Sequence, residues 1–300
     1  MREILRVRHF TINGEEMKIL RVDDFFLSDD HAFSLFDMHH QMMEDVHGHE
    51  FDELVIVRHG SGFHIINDQV QFICQGDFFL VSSCDIHCYE SANELSVINI
   101  LLHRTRNFHF IQNIDILKEG IRLRTLPPKN KRLALNENEL EKIIRLAGVV
   151  NNKNVTDYDA DYFSSTESAL LAIISLLYRC ATTKEEKTGR VESGKRYLIN
   201  HLLENYHCAI SWQGLCETSG ITKRTMFRFI KQTTGYTPEK FQLRYRLLKT
   251  QELLRTTDYS IGEIALMCGF THHARLTEAY KKQFSRTPSQ ERARVSNSVI

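Results

Sequence analysis

Near its C-terminus the 300-residue chain writes one pattern twice: SWQGLCETSGITKRTMFRFIKQTTG runs from Ser211 to Gly235, and SIGEIALMCGFTHHARLTEAYKKQF runs from Ser260 to Phe284. Thr222 and Thr271 hold matching places 49 positions apart. Each copy reads as a short capped helix, a turn and a second helix. Ser211 and Ser260 stand where an N-cap hydroxyl accepts hydrogen bonds from orphaned backbone N–H groups, and Glu263, three residues after Ser260, completes a capping box. Apolar residues recur at helical spacing, Trp212, Leu215 and Cys216 in the first copy and Ile261, Ile264 and Ala265 in the second. A glycine, Gly220 or Gly269, then supplies a tight turn before an apolar anchor, Ile221 or Phe270. This third of the chain is therefore expected to be a small all-α domain built on two helix-turn-helix units.

In the second helix of the first copy, Met226, Phe229 and Ile230 point inward, which leaves Lys223, Arg224, Thr225 and Arg228 on the solvated face near its start. Such an end is where a recognition helix meets base edges. Ordinary surface charge is the plain alternative, but the charge is not local. Residues 190–300 hold 18 Lys and Arg against 9 Asp and Glu, whereas residues 1–189 hold 20 against 29, so a neutral total conceals a basic region of +9 and an acidic one of −9. A basic helical domain attracts phosphate backbones by counterion release.

The last hundred residues resemble the AraC/XylS family of transcriptional regulators. The resemblance rests on ITKRTMFRFIKQTTGYTPEKF, on Arg246 and Leu247 in the connecting helix, on LLRTTDYSIGEIALMCGF, and on YKKQF with Pro288 four residues beyond. Thr237 and Pro238 open the connecting helix as a cap with proline at the first helical position. The second copy departs from the family pattern: Leu276 stands for the usual aromatic, Glu278 for a residue often basic, and Ser285 for the helix-ending glycine. The resemblance implies double-stranded DNA as partner. Base contacts are expected from Lys223, Arg224 and Thr225 and, in the second copy, from His272, His273 and Arg275. Phosphate contacts are expected from Arg228, Lys231, Arg246, Lys281 and Lys282. It also implies a contact with RNA polymerase.

The N-terminal part has a different texture, with alternating or apolar runs at Phe51 to Val57, Gly62 to Ile66, Phe72 to Cys74, Phe78 to Val81 and Leu95 to Leu102, punctuated by glycine and by Asn67-Asp68. These are expected to be the strands of a small cupin-like β-barrel with room for one ligand. HGHEFDELVIVRHG followed by GDFFLVSSCDIH looks like the two cupin motifs, with His47, His49, Glu53 and His87 at the marked places. FDELVIVRHGSGFHIIND with NELSVINI is similar to the L-rhamnose-responsive activators of the same family, which implies a sugar-like effector. His47, His49, Phe51 and Glu53 are separated by even numbers, so on one strand they face one side. Three readings of the four polar residues stay open: lining of an effector pocket, a divalent site for Zn, Fe, Ni or Mn, and structural or exposed residues. No cofactor is certain.

Between these regions lie two helical patterns. Asn136 with Glu139 caps a stripe of Leu140, Ile143, Ile144 and Ala147, and Ser164 with Glu167 reads as a capping box before Leu170, Leu171, Ile173, Ile174, Leu176 and Leu177. The second stripe is wide enough to suggest a homodimer interface over simple burial in one chain. The expected organisation is α+β and two-domain: an effector-binding barrel over 1–135, a helical dimerisation region over 136–180, a linker over 181–194, and a double helix-turn-helix domain over 195–300. No apolar run approaches the roughly 18 residues of a membrane helix, and nothing at the start reads as an export signal, so a cytoplasmic protein without membrane contact is expected. Seven cysteines without CxxC spacing suit reduced thiols. The sequence thus reads as an effector-responsive, sequence-specific transcription activator with no catalytic residues. Two alternatives stand beside it: a metal-dependent cupin enzyme fused to a helical domain, and an architectural DNA-binding protein without effector.

Overall fold

The computed structural model describes residues 8–12, 15–39, 45–125, 134–151, 157–182 and 190–296. The chain divides into two compact units: residues 1–10, 17–62 and 73–184 form one, and residues 11–16, 63–72 and 185–300 form the other.

An eight-stranded sheet, most of it in the first unit, is built on strands β1 (Arg8–Ile12), β2 (Glu15–Leu20), β3 (Phe33–His39), β4 (His47–His49), β5 (Asp52–Ile66), β6 (Gln69–Cys74), β7 (Phe78–Val81) and β8 (His87–Leu102). β5 and β8 reach 15 and 16 residues, and each pairs with several shorter strands. The sheet path runs β1-β2-β4-β8-β5-β6, with β3 on β8 and β7 on β5. This corrects the expected barrel: among the described residues the path starts at β1 and ends at β6, and the sheet stays open. Alternation specifies which side chains share a face, whereas closure requires the two end strands to pair, and no local pattern encodes that.

Two runs read as separate strands, 51–57 and 62–66, are joined in β5. Gly60, at φ +73°, lets the strand continue past the kinked backbone of β8, since a Cβ there would lie 2.3 Å from the Glu94 carbonyl oxygen. Asn67 and Asp68 both take positive φ, 47° and 63°, the signature of a tight hairpin turn.

A short helix α1 (Val22–Phe25) follows β2, and helices α2 (Ile114–Thr125), α3 (Glu137–Val150) and α4 (Ala160–Thr182) pack on one face of the sheet. Leu54 and Ile56 of β5 and Ile98, Ile100 and Leu102 of β8 meet Ile143, Leu170, Ile173 and Leu177 in that core. α3 opens with the expected Asn136–Glu139 capping box. The expected box at Ser164 and Glu167 is corrected, because α4 already begins at Ala160 and Ser164 lies inside it. The helix start is fixed instead by Asp159, whose carboxylate accepts from the Tyr162 N–H at 2.9 Å. Glu167 is buried and accepts from three successive backbone N–H groups, those of His109, Phe110 and Ile111, at 2.8, 2.7 and 3.1 Å. A carboxylate so held fixes the segment ahead of α2. The apolar arc of α4 that suggested a dimer interface is largely covered within the chain: Leu170, Ile173, Ile174, Leu176 and Leu177 are all buried, and Leu171 alone of that stripe is exposed.

Residues 183–189 of the expected linker lie outside the described residues. The second unit carries helices α5 (Arg190–Glu204), α6 (Trp212–Ser219), α7 (Lys223–Thr234), α8 (Pro238–Thr256), α9 (Ile261–Met267), α10 (His273–Phe284) and α11 (Pro288–Ser296). α6–α7 and α9–α10 are the two helix-turn-helix units, and α8 joins them. The hairpin tip 63–72, which belongs to this unit, packs Phe63 and Phe72 on Phe241 and Tyr245 with ring centroids 5.0 to 5.8 Å apart. No described helix is long and apolar enough to cross a membrane.

Candidate nucleic-acid interface and effector site

The start of α7 is set by Thr222, whose hydroxyl accepts from the Thr225 N–H, and its end by Gly235 in the left-handed region. Met226 and Ile230 are fully buried, as the periodicity requires, which fixes the opposite face toward solvent. Lys223, Arg224, Thr225, Arg228 and Lys231 are all exposed there. Thr222 also donates to the Thr225 hydroxyl at 3.0 Å, so Thr225 is partly engaged in the cap. In α10, Leu276 and Tyr280 are buried while His272, His273, Arg275, Lys281 and Lys282 are exposed. Among the described residues none of Arg224, Arg228, Lys231, Arg275, Lys281 and Lys282 forms an ion pair with a carboxylate.

The electrostatics of the helix starts separate these two helices from α8 and α9. A helix N-terminus already carries partial positive charge and is stabilised by acidic residues. α8 and α9 follow that rule with Glu239 and Glu263 in their first turns, whereas α7 and α10 carry no acidic residue there. Exposed cations on an uncompensated helix start suit an anionic partner, and the acceptor-rich edges and phosphates of duplex DNA supply one.

Arg246 is a correction. Its guanidinium donates from Nε to the Tyr206 carbonyl at 2.5 Å, and from its two terminal nitrogens to the carbonyls of Gly269 and Cys208 at 3.0 Å each. These bonds hold the turn of the second helix pair and the loop before α6 to α8, so the side chain is an internal clamp and not the phosphate contact expected of it. The planar five-donor fork fits converging carbonyls as well as it fits a phosphate, and sequence does not distinguish them.

The second site lies on the other face of the sheet, opposite the helices. Because Leu54 and Ile56 of β5 and Ile98 and Ile100 of β8 face the helical core, Glu53 and Asn99 face away from it. The chain bends at Glu50 and Phe51 between β4 and β5, so His47 and His49 share a strand with each other but not with Glu53. His87 enters by pairing of β8 with β4, where it stands opposite His47.

The result brings His49, Glu53 and His87 together: the Glu53 Oε2 lies 3.6 Å from His49 Nε2 and 3.3 Å from His87 Nε2. His47 stands beside them, its ring 4.3 Å from that of His87 and its Nδ1 2.8 Å from the Asp45 carbonyl. Sequence reading missed Asn99, whose side-chain amide donates to Glu53 Oε1. One amide inside the apolar run Leu95 to Leu102 was the available signal. All these groups are buried. Burial drives His49 down to about 4, and it pushes the Glu53 carboxyl up to about 8 against the lowering effect of the Asn99 hydrogen bond. Burial likewise lowers His47. Burial thus favours the neutral forms of His47, His49 and the Glu53 carboxyl, and a neutral imidazole is competent as a hydrogen-bond partner for hydroxyls and as a metal ligand.

A helix-turn-helix domain family matches residues 215–294. A curated relative, the HTH-type transcriptional activator RhaS of Pectobacterium atrosepticum, is 31% identical over 279 residues, covering 92% of this chain and 97% of its own length. The chain belongs to the AraC family. A second AraC-family relative, the RhaS activator of Mannheimia succiniciproducens, is 30% identical over 269 residues and spans 90% of this chain and 97% of itself. Among solved structures, an AraC-type regulator from Chromobacterium violaceum is 28% identical over 35% of this chain and 94% of its own, with a TM-score of 0.33. The DNA-binding domain of AdpA in complex with a target DNA is 29% identical over 33% and 90%, with a TM-score of 0.32. As a member of the AraC family, this protein is a helix-turn-helix DNA-binding transcription regulator.

Proposed function

We propose that this regulator activates transcription from promoters it recognises with α7 and α10, in response to a sugar-like effector, L-rhamnose or a close relative, held at His47, His49, Glu53 and His87. Lys223 and Arg224, with Thr225, read base edges, and His272, His273 and Arg275 do so in the second copy. Arg228, Lys231, Lys281 and Lys282 meet phosphates. The observation that carries this reading is the pair of helix starts that expose cations without an acidic residue to offset them. The curated relatives, named as transcriptional activators, support activation. The motif similarity to rhamnose-responsive members of the family supports the effector class. The protein works in the cytoplasm as a homodimer, contacts RNA polymerase and carries no catalytic activity. The effector acts by preferring one arrangement of the protein over another, since equal affinity for both would switch nothing.

Selection of bound duplexes from a random pool, with and without L-rhamnose, tests both halves. Enrichment of one shared motif, with recovery that changes on adding the sugar, is the expected result. A pool without any enriched motif would overturn sequence-specific binding, and a motif indifferent to the sugar would overturn L-rhamnose as effector.

A further inference from the structure

We propose that His49, Glu53 and His87 bind one divalent first-row transition ion, and that hydroxyl groups of the effector complete its coordination. The inference rests on the reading of this pocket as the effector site and adds the chemistry by which it holds its ligand.

The donor atoms converge as metal ligands do. His49 Nε2, a Glu53 oxygen and His87 Nε2 all lie within 4.8 Å of one another. The two nitrogen–oxygen separations, 3.3 and 3.6 Å, are long for a direct hydrogen bond. They match the edge of a tetrahedron with bonds of about 2.1 Å, which is about 3.4 Å.

Proton placement points the same way. His49 Nδ1 lies 2.5 Å from the Phe51 carbonyl, and a carbonyl oxygen only accepts, so the Nδ1 carries the hydrogen. In the neutral ring Nε2 is then a bare lone pair, aimed at a carboxylate oxygen. Neither His49 Nε2 nor Glu53 Oε2 has a hydrogen-bond partner among the described residues. Two buried lone pairs facing each other need a cation between them, either a proton on the Glu53 carboxyl or a metal ion, and a separation of 3.6 Å is too long for a proton to bridge them well.

The surroundings are those that orient ligands. Asn99 occupies the other Glu53 oxygen, and the Phe51 carbonyl fixes the His49 ring, an arrangement that raises ligand basicity and sets direction. Two imidazoles with one carboxylate favour Zn, Fe, Co or Ni over Ca or Mg, whose preferred ligands are all oxygens. Three protein ligands leave coordination positions open, which vicinal hydroxyls of a sugar can take. His47 lies outside the converging set, and its ring, packed on that of His87, makes it a positioning residue.

The test uses the full chain, stripped with a chelator and titrated with Co2+. One equivalent should bind, with visible absorption bands that change when L-rhamnose is added, and Glu53→Gln or His87→Ala should weaken that binding at least 10-fold. Wild-type protein that binds Co2+ and Zn2+ no more tightly than Glu53→Gln would overturn the proposal. Should a variant fail to fold, the metal-free wild type decides on its own through DNA retardation. Retardation that responds to L-rhamnose only after Zn2+ is restored supports the ion. An undiminished response in chelator removes the ion and leaves the effector reading standing. Tight Co2+ binding without any response to L-rhamnose keeps the ion and removes that effector.

Discussion

The two helix-turn-helix copies share a plan and differ in what their residues are used for. In the second copy Ile264, Ala265, Cys268, Leu276 and Tyr280 are fully buried, and α9 opens with a complete capping box between Ser260 and Glu263. In the first, the residue matching Glu263 is Gly214, so Ser211 caps alone. The order reverses one helix later: Thr222 caps α7 through its side chain, whereas His272 at the start of α10 makes no such bond. The ends differ too, because α7 stops on Gly235 and α10 on Ser285, both in the left-handed region. The first copy thus has the better-anchored cationic start, and the second is the denser structural block, tied to α8 by Arg246. A repeat in sequence does not oblige two repeats to share one task.

The turn glycines should show the largest contrast. At Gly269 a Cβ would lie 2.2 Å from the His207 carbonyl oxygen, whereas at Gly220 nothing stands within 4 Å, although both have positive φ. Gly269→Ala should therefore cost about 3 kcal/mol or more in urea unfolding, and Gly220→Ala about 1 kcal/mol, the strain of the left-handed backbone alone. Equal losses would break the contrast. Removing Arg246 comes next: Arg246→Ala should lose on the order of 2 kcal/mol of stability, because three hydrogen bonds go while Gln242 still donates to the Tyr206 and Cys208 carbonyls. Measured on folded protein, it should leave the salt dependence of DNA binding unchanged, while Arg228→Ala lowers the slope of log K against log salt by about 0.9. A matching fall in slope for Arg246→Ala would return that residue to the phosphate-contacting set.

Caps are the third test. Thr222→Ala should cost about 1 kcal/mol, His272→Ala close to nothing, and His272→Asp should gain a few tenths to 1 kcal/mol in thermal unfolding while weakening DNA binding by placing a negative charge at the groove. An effect of similar size is expected at Ser285, where φ is +57°. Ser285→Gly should stabilise by about 1 kcal/mol, and a loss of stability would mean that the serine side chain has a task of its own.

The helical third was legible because its signals are local. Caps at Ser211, Thr222, Thr237 and Ser260, the turn glycines and the buried stripe of α7 each depend on neighbours a few residues away. The same locality misled at Ser164 and Glu167, where a capping-box spacing occurs inside a helix and the glutamate serves backbone groups nearly 60 positions earlier. It misled again in the sheet, where the even spacing from His47 to Glu53 suggested one strand and the chain in fact turns a corner between them.

The residues alone therefore determined that this chain ends in a doubled, basic helix-turn-helix block and begins in strands carrying an unusual set of histidines and a glutamate. Tertiary structure decided the open sheet, the coverage of α4, the clamp made by Arg246, and the approach of His87 and Asn99 to Glu53. The division has one physical cause. Capping, periodicity and turn chemistry act between residues that the backbone already holds close. Pairing partners, burial and the use of a side chain's donors depend on which distant segment folds against it.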